Sequence, residues 1–325
     1  MRKVKWGILG TAAIAVRDSI PGMLQAENCE MTAIAGRSME KALQFKEKYG
    51  FLKAYGSYDE LLADEEIEAV YIPLPNEMHC EWTIKALRAK KHVLCEKPLA
   101  PNAKQIAEMF AAAKENGVYL MEAFAYLHGP FINGVKEEVA KGTIGEVEYM
   151  ESGFLTSDYD MSNIRMRKET FGGALYDLGC YCTSQILWVL GEEPKKVQAI
   201  AEFAENGIDV LTTAIIDFGD RKKATLTTGM NLATEKDMRI DRFRIFGTKG
   251  NIRSNVEFNE CGDLQYILTV DGEETVKTIP TPQNYKLEVE QLSRCILEGE
   301  TPYVTEEFSL RNSRLLDAIL EKIGY

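Results

Sequence analysis

Residues 7–15 read Gly7-Ile8-Leu9-Gly10-Thr11-Ala12-Ala13-Ile14-Ala15 and complete a short apolar run that begins at Val4. The run predicts a strand over residues 3–9, and the small residues after it predict a tight turn that opens a helix over 13–25. Dinucleotide-binding folds place the spacing G-x-G-x-x-G at such a junction. Here Gly10 takes the first position, Ala12 the second and Ala15 the third. Two alanines weaken the motif taken alone, so its setting carries the reading. Backbone N–H groups at Ala12, Ala13 and Ile14 would open the helix where a pyrophosphate binds in such folds, and the helix dipole favours negative charge there. The plain alternative is a small-residue turn that holds no ligand.

Outward from this turn, strand and helix patterns alternate. Residues 30–35 read as a strand and 38–49 as a helix with Ser38 at its N-cap. Strands follow at 69–72, 92–95 and 118–122, separated by helices at 77–89 and 102–116, the latter stopped by Gly117. This alternation means βαβ units and a parallel sheet covered on both faces, a Rossmann domain over residues 1–123. An NAD site usually ends the second strand in Asp or Glu, which bonds the ribose 2′-hydroxyl. This chain has Ala35-Gly36-Arg37-Ser38 at that place. A carboxylate would repel a 2′-phosphate and Arg37 would attract it. Ser38 adds a hydroxyl, and Lys41 lies one helical turn further on. The expectation is NADP(H) in preference to NAD(H), against the alternative of an ordinary surface arginine at a helix start.

Beyond residue 123 the pattern changes. A helix near 134–141 precedes a strand at 147–154 and a helix at 173–190, and strand-like runs then succeed one another from 196 to 277, including 214–218, 223–228 and 243–247. Helices return at 287–298 and 306–323. Consecutive strands without intervening helices imply a largely antiparallel sheet, hence an α+β domain over residues 124–325 that would bind the substrate. Within 223–228, Ala224 and Leu226 alternate with threonines, as on a sheet with two different faces.

Composition agrees. The 325 residues suffice for two domains, and 45% hydrophobic with 27% charged residues is globular. A net charge of −12 argues against nucleic acid as the main partner. No apolar run reaches the ~18 residues a membrane span needs, so no membrane partner is expected. The basic and apolar N-terminus reads as the first strand rather than a signal peptide. The seven cysteines show no metal spacing and read as reduced thiols in a cytoplasmic protein. His79, His92 and His128 are scattered, and no metal site is expected.

Three separated stretches, YIPLPNEMH at 71–79, CEKPLA at 95–100 and GGALYDLGCY at 172–181, resemble in order and spacing the glucose–fructose oxidoreductase / inositol dehydrogenase (Gfo/Idh/MocA) family. The resemblance is nearest to its dihydrodiol dehydrogenases and NADP-dependent D-xylose dehydrogenases. It extends through IFGTKGNI at 245–252 and SLRNSRLLDAIL at 309–320. Two departures stand out. Tyr126 is followed by Leu127 where the family often has arginine, and the catalytic helix pairs its aspartate with Tyr181 rather than a histidine. The resemblance implies hydride transfer between nicotinamide and a carbinol or carbonyl carbon of a sugar, polyol or cyclic diol. It also implies a homodimer, or a higher oligomer built from it, paired through the open sheet.

Lys97 is the first catalytic candidate. It follows a strand at the carboxyl end of a parallel sheet, where such folds bind ligands, and Pro98 restricts its backbone. The resemblance implies a cis bond there. Beside oxidised nicotinamide its ammonium meets positive charge, which suits proton shuttling. Asp177 and Tyr181 lie four apart on the expected helix and share a face, and Gly172 and Gly173 before them would let a ligand approach closely. Tyr181 would act as general acid in reduction, and Asp177 would orient the substrate or tune Lys97. The alternative for this pair is helix packing. Pro73, Leu74, Asn76, His79 and Glu96 would wall the cofactor site, with Asn76 capping the next helix. Tyr126, Phe154, Asn163, Arg165 and Tyr285 would line the substrate side. The competing function is a non-catalytic NADP-binding regulator or sensor, which would have no evident need for Lys97, Asp177 and Tyr181 together.

Overall fold

The run before Gly10 forms β1 (Val4–Leu9), buried along nearly its whole length. It is followed by β2 (Cys29–Ala35), β3 (Lys53–Tyr55), β4 (Ala69–Ile72), β5 (His92–Glu96) and β6 (Leu120–Ala123). These make one parallel sheet in the order β3-β2-β1-β4-β5-β6. Strand order reverses between β1 and β4, and in a doubly wound sheet the crevice at that reversal, outside the carboxyl ends, receives the ligand. The computed structural model describes residues 2–157, 162–231 and 239–325.

The intervening helices are α1 (Ile20–Gln25), α2 (Met39–Tyr49), α3 (Tyr58–Leu62), α4 (Asn76–Arg88) and α5 (Ala103–Asn116). The helix expected over 13–25 is present but not uniform, because residues Ala15–Ser19 form a wider π-helical turn ahead of α1. Pro21 follows that turn and has no N–H to give, and a local change of helical pitch takes up such a gap. Strand β3 and helix α3 carry three and five residues, too few to leave a periodic signal.

The chain divides into two compact units. The first runs to His128 and takes back residues 283–310; the second holds residues 129–282 and 311–325. The returning segment contains α8 (Asn284–Glu298) and the first turn of α9 (Glu306–Ile323). Helix α8 packs on α1, β1 and β5. Trp6 Nε1 donates to Ser293 Oγ at 3.1 Å. A methyl group on Gly22 would stand 2.7 Å from the carbonyl carbon of Tyr285, so only glycine lets α1 and α8 approach this closely.

The second unit opens with α6 (Pro130–Ala140), β7 (Val147–Thr156) and α7 (Cys180–Leu190) and continues through β8 (Lys196–Phe203), β9 (Asp209–Gly219), β10 (Lys222–Gly229), β11 (Arg239–Gly247), β12 (Gly250–Ser254), β13 (Gly262–Val270) and β14 (Glu273–Thr281). The eight strands lie in the order β14-β13-β12-β11-β7-β10-β9-β8. All pairs are antiparallel except β7 with β10. The α/β Rossmann domain followed by an α+β domain on a largely antiparallel sheet is thus the architecture the sequence implies. Helix α7 packs on β7 and β10, and its residues from Cys180 to Val189 are all buried. On β10, Ala224 and Leu226 are buried while Thr225 and Thr227 stay partly exposed, the expected alternation. The threonine face carries Ile200, Ile215 and Phe246, all exposed, with Phe246 stacked on Tyr149 at 5.9 Å. Among the described residues no helix is long and apolar enough to cross a membrane.

Candidate active site

In the first unit the turn after β1 and the segment after β4 meet at the strand-order reversal. Gly10 has φ +114°, and a methyl group on it would stand 3.0 Å from Leu74 Cδ2. The turn after β1 and the Pro73-Leu74 segment after β4 therefore approach each other across the crevice, and the left-handed backbone at Gly10 disfavours any side chain there. Helical structure begins at Ala13, which places the N–H groups of Ala12, Ala13 and Ile14 at its start. At the end of β2, Gly36 N–H donates to the Tyr55 carbonyl at 3.1 Å, and Arg37, Ser38 and Lys41 are exposed. Ser38 does take the N-cap position of α2, but its hydroxyl makes no capping bond. The helix start thus keeps donors for an anion, and two cations stand beside it. These features fit a dinucleotide with a 2′-phosphate: a close-packed glycine, an uncapped helix start and Arg37 in place of a carboxylate.

Lys97 follows β5 and is half-buried, joined to Pro98 by a cis peptide bond. The neighbouring carboxylates hold it from behind. Glu96 accepts from Tyr71 Oη at 2.5 Å and from the Lys97 backbone N–H at 3.2 Å, and Ser19 Oγ donates to Tyr71 Oη at 2.8 Å. Glu122 on β6 accepts from Leu99 N–H at 2.9 Å. Burial pushes the Glu122 carboxyl up to about 7, while the Lys97 ammonium pulls it down. Glu288 on α8 is fully buried, and neither of its oxygens has a hydrogen-bond partner among the described residues. Burial first, and then the charge of Glu96, push its carboxyl well above the usual range.

Two expectations change here. His79 is fully buried, with Nδ1 2.9 Å from the Pro98 carbonyl oxygen and Nε2 2.7 Å from that of Leu74. It braces the Leu74 and Lys97-Pro98 turns from inside rather than lining the site. Burial lowers its pKa and the nearby Lys97 adds to this, against the pull of the two carbonyls. Asn76 does not cap α4: Pro75 holds the N-cap position, and Asn76 is the first helical residue. Tyr126 and Tyr285, expected on the substrate side, both belong to the first unit. Tyr126 lies in a 3₁₀ turn, edge-on to Phe124 at 6.3 Å, and Tyr285 on α8 against Gly22.

The second unit brings together the other substrate-side residues. Asp177 lies in a π-helical turn, Leu175–Gly179, directly before α7, where an α-helix was expected. Wider turns of this kind recur at functional sites. Asp177 and Tyr181 are both largely buried. Asp177 Oδ2 pairs with Arg165 Nε at 2.9 Å, and Asn163 Oδ1 accepts from the Arg165 backbone N–H at 3.1 Å. The paired glycines serve this turn. A methyl group on Gly172 would stand 2.3 Å from the Arg165 carbonyl oxygen, and Gly173 N–H donates to that same oxygen at 2.9 Å. Tyr181 packs edge-on to Phe154 at 5.6 Å and against Phe258 at 5.0 Å. Sequence reasoning missed Asp209, whose buried carboxylate accepts from Leu175 N–H at 2.9 Å and Thr212 Oγ1 at 2.7 Å and so anchors the start of this helix.

Comparison with known proteins bears on the whole chain. Residues 4–124 match the oxidoreductase family with an NAD-binding Rossmann fold, and residues 132–253 match the GFO/IDH/MocA C-terminal domain. The chain belongs to the Gfo/Idh/MocA family. It is therefore an oxidoreductase on a Rossmann scaffold. It is 34% identical to D-xylose 1-dehydrogenase (NADP(+)) 2 of Haloferax volcanii, over 97% of this chain and 96% of that one. It is 32% identical to trans-1,2-dihydrobenzene-1,2-diol dehydrogenase of Xenopus laevis, over 98% of each. A 3-ketoreductase from Actinomadura kijaniata, solved with NADP and TDP-benzene, superposes with a TM-score of 0.91 at 30% identity, over 99% of this chain and 98% of that one. That enzyme has also been solved with a tyrosine changed to phenylalanine and with a lysine changed to alanine or glutamate.

Proposed function

We propose that the chain is an NADP(H)-dependent dehydrogenase or reductase that transfers a hydride between the cofactor and a carbinol or carbonyl carbon of a sugar, polyol or cyclic diol. The observations that carry this reading are, in the first unit, a braced lysine after β5 on a dinucleotide-type sheet and, in the second, an aspartate–tyrosine pair on an anchored helix. The bound nicotinamide would supply hydride chemistry; the protein's own groups align the substrate and move the proton. Lys97 shuttles the proton, Tyr181 donates it to the substrate oxygen in reduction, and Asp177, with Arg165, orients the substrate. The names of the relatives support this chemistry and the NADP preference. The two residue types varied in the ketoreductase, lysine and tyrosine, agree with the choice of Lys97 and Tyr181. A regulator would have no evident use for a proton-transfer set of this kind.

The test is purified protein with NADP⁺ against a panel of aldoses, polyols and cyclic diols, read as NADPH formation. Turnover on at least one class is expected, with a rate well above that with NAD⁺. NADP(H) binding without turnover on any member, in either direction, would favour the regulator.

We also propose a homodimer through the threonine face of the eight-stranded sheet. Ile200, Ile215 and Phe246 are exposed there, and such a face is buried by pairing with a second copy about a two-fold axis. Sedimentation at micromolar concentration should give a dimer mass, and Ile215→Glu should shift the protein towards monomer. A parent protein that sediments as a monomer would count against this assembly.

A further inference from the structure

Between β12 and β13 the chain places Asn259 at φ +65°, a left-handed conformation that asparagine tolerates better than most residues. The loop that carries it is tied down by a buried carboxylate. Asp241 on β11 accepts from the Phe258 N–H at 2.6 Å and binds the Arg239 guanidinium through both oxygens, at 2.9 and 2.5 Å. Arg239 closes the bracket by donating to the Phe258 carbonyl at 3.0 Å, and it lies 4.6 Å over the Phe154 ring. Phe154 and Phe258 in turn stack at 5.3 Å and both contact the Tyr181 ring, the three forming one aromatic cluster. Held by this bracket, Asn259 Nδ2 reaches Tyr181 Oη at 3.3 Å.

An amide nitrogen can only donate, so the phenol oxygen is the acceptor in this contact. We propose that Asn259 is a positioning residue for Tyr181: it occupies a lone pair of the phenol oxygen and directs the phenolic hydrogen to the substrate oxygen. The inference rests on the reading of Tyr181 as the proton donor. In reduction, the carbonyl carbon takes the hydride of the reduced cofactor. The phenol O–H bond breaks as a new O–H bond forms on the substrate oxygen. The phenolate left behind keeps the Asn259 N–H, in a hydrogen bond that is stronger for being charge-assisted. In alcohol oxidation the same phenolate accepts the proton. Among the described residues, the charged groups near Tyr181 include Asp177 on the preceding turn with its partner Arg165, Arg239 and Asp241 on β11, and Glu257 on the loop, paired to Arg239 at 3.4 Å. The Arg239 cation favours the phenolate together with the amide, and the nearby carboxylates oppose it.

The sign follows. Removing the donor makes the phenolate harder to form, so the rising limb of the pH profile for alcohol oxidation moves to higher pH. Asn259→Gly keeps the left-handed backbone and removes only the amide. Asn259→Asp offers an acceptor, which draws the phenolic hydrogen to itself and adds negative charge. The measurement is single-turnover alcohol oxidation across pH for parent, both variants and Tyr181→Phe, with NADP⁺ binding measured separately. Both Asn259 variants should move the limb upward, by about one pH unit for Asn259→Gly and further for Asn259→Asp, with NADP⁺ affinity unchanged. Profiles that superpose on the parent's, while Tyr181→Phe slows hydride transfer, would overturn the role of Asn259 and leave that of Tyr181 standing. A Tyr181→Phe variant as fast as the parent would overturn the reading of Tyr181 and this inference with it.

Discussion

Replacing Lys97 by methionine should leave the protein folded and NADP-binding but lower single-turnover hydride transfer by ~10²–10⁴-fold, the scale of a general acid–base group. Methionine keeps much of the stem length and removes the ammonium. The fold should survive because the turn is held by groups other than that ammonium. Glu96 bonds the Lys97 backbone, Glu122 bonds the Leu99 backbone, and His79 reaches the Pro98 carbonyl. One change reaches beyond the missing proton: burial raises the Glu122 carboxyl to about 7 against the Leu99 N–H and, to a smaller degree, the Lys97 charge, so without the lysine that carboxyl should take up its proton at somewhat higher pH. Rates should therefore be compared at several pH values, with thermal unfolding and NADP⁺ binding as controls. A variant that transfers hydride at the parent's rate would mean that Lys97 does not move the proton.

Arg37→Asp should produce the second large effect, and on binding alone. The arginine is exposed at the end of β2, beside an α2 start whose Ser38 makes no capping bond. Aspartate there removes a charge-assisted hydrogen bond and sets a carboxylate against the 2′-phosphate. NADP affinity should fall on the order of 10²-fold, most at low ionic strength. NAD affinity should hold or rise, because a carboxylate in this place can accept from a ribose 2′-hydroxyl. Calorimetric titration of parent and variant with both cofactors reads the result directly. Equal or tighter NAD(H) binding by the parent would sink the assignment of Arg37.

The sequence by itself determined what depends on neighbours along the chain. The apolar run ending at Gly10, the small residues after it and the alternation that follows fix a parallel sheet, because strand and helix periods are local. The absence of a carboxylate after β2, Lys97 at the end of β5 and the Asp177/Tyr181 spacing are likewise written in short stretches. So is the two-faced β10, with Ala224 and Leu226 inside and Thr225 and Thr227 on the other face.

Only the tertiary structure decided which groups hold those residues. Tyr71 meets Glu96 across 25 residues, and Asn259 meets Tyr181 across 78. Glu288 is brought against the Glu96 side of the first unit only because residues 283–310 fold back into it. The π-helical turns at Ala15–Ser19 and Leu175–Gly179 were equally hidden, since an apolar pattern of helical period does not reveal a locally wider turn. The glycines at 172 and 173 were legible as positions of close approach, but not what approaches them, which is the Arg165 carbonyl at Gly172 and the Asp209 carboxylate at Gly173. Periodicity records which face of an element is buried; a hydrogen bond between distant segments leaves no period, because either partner could have met any polar group that the fold brought near.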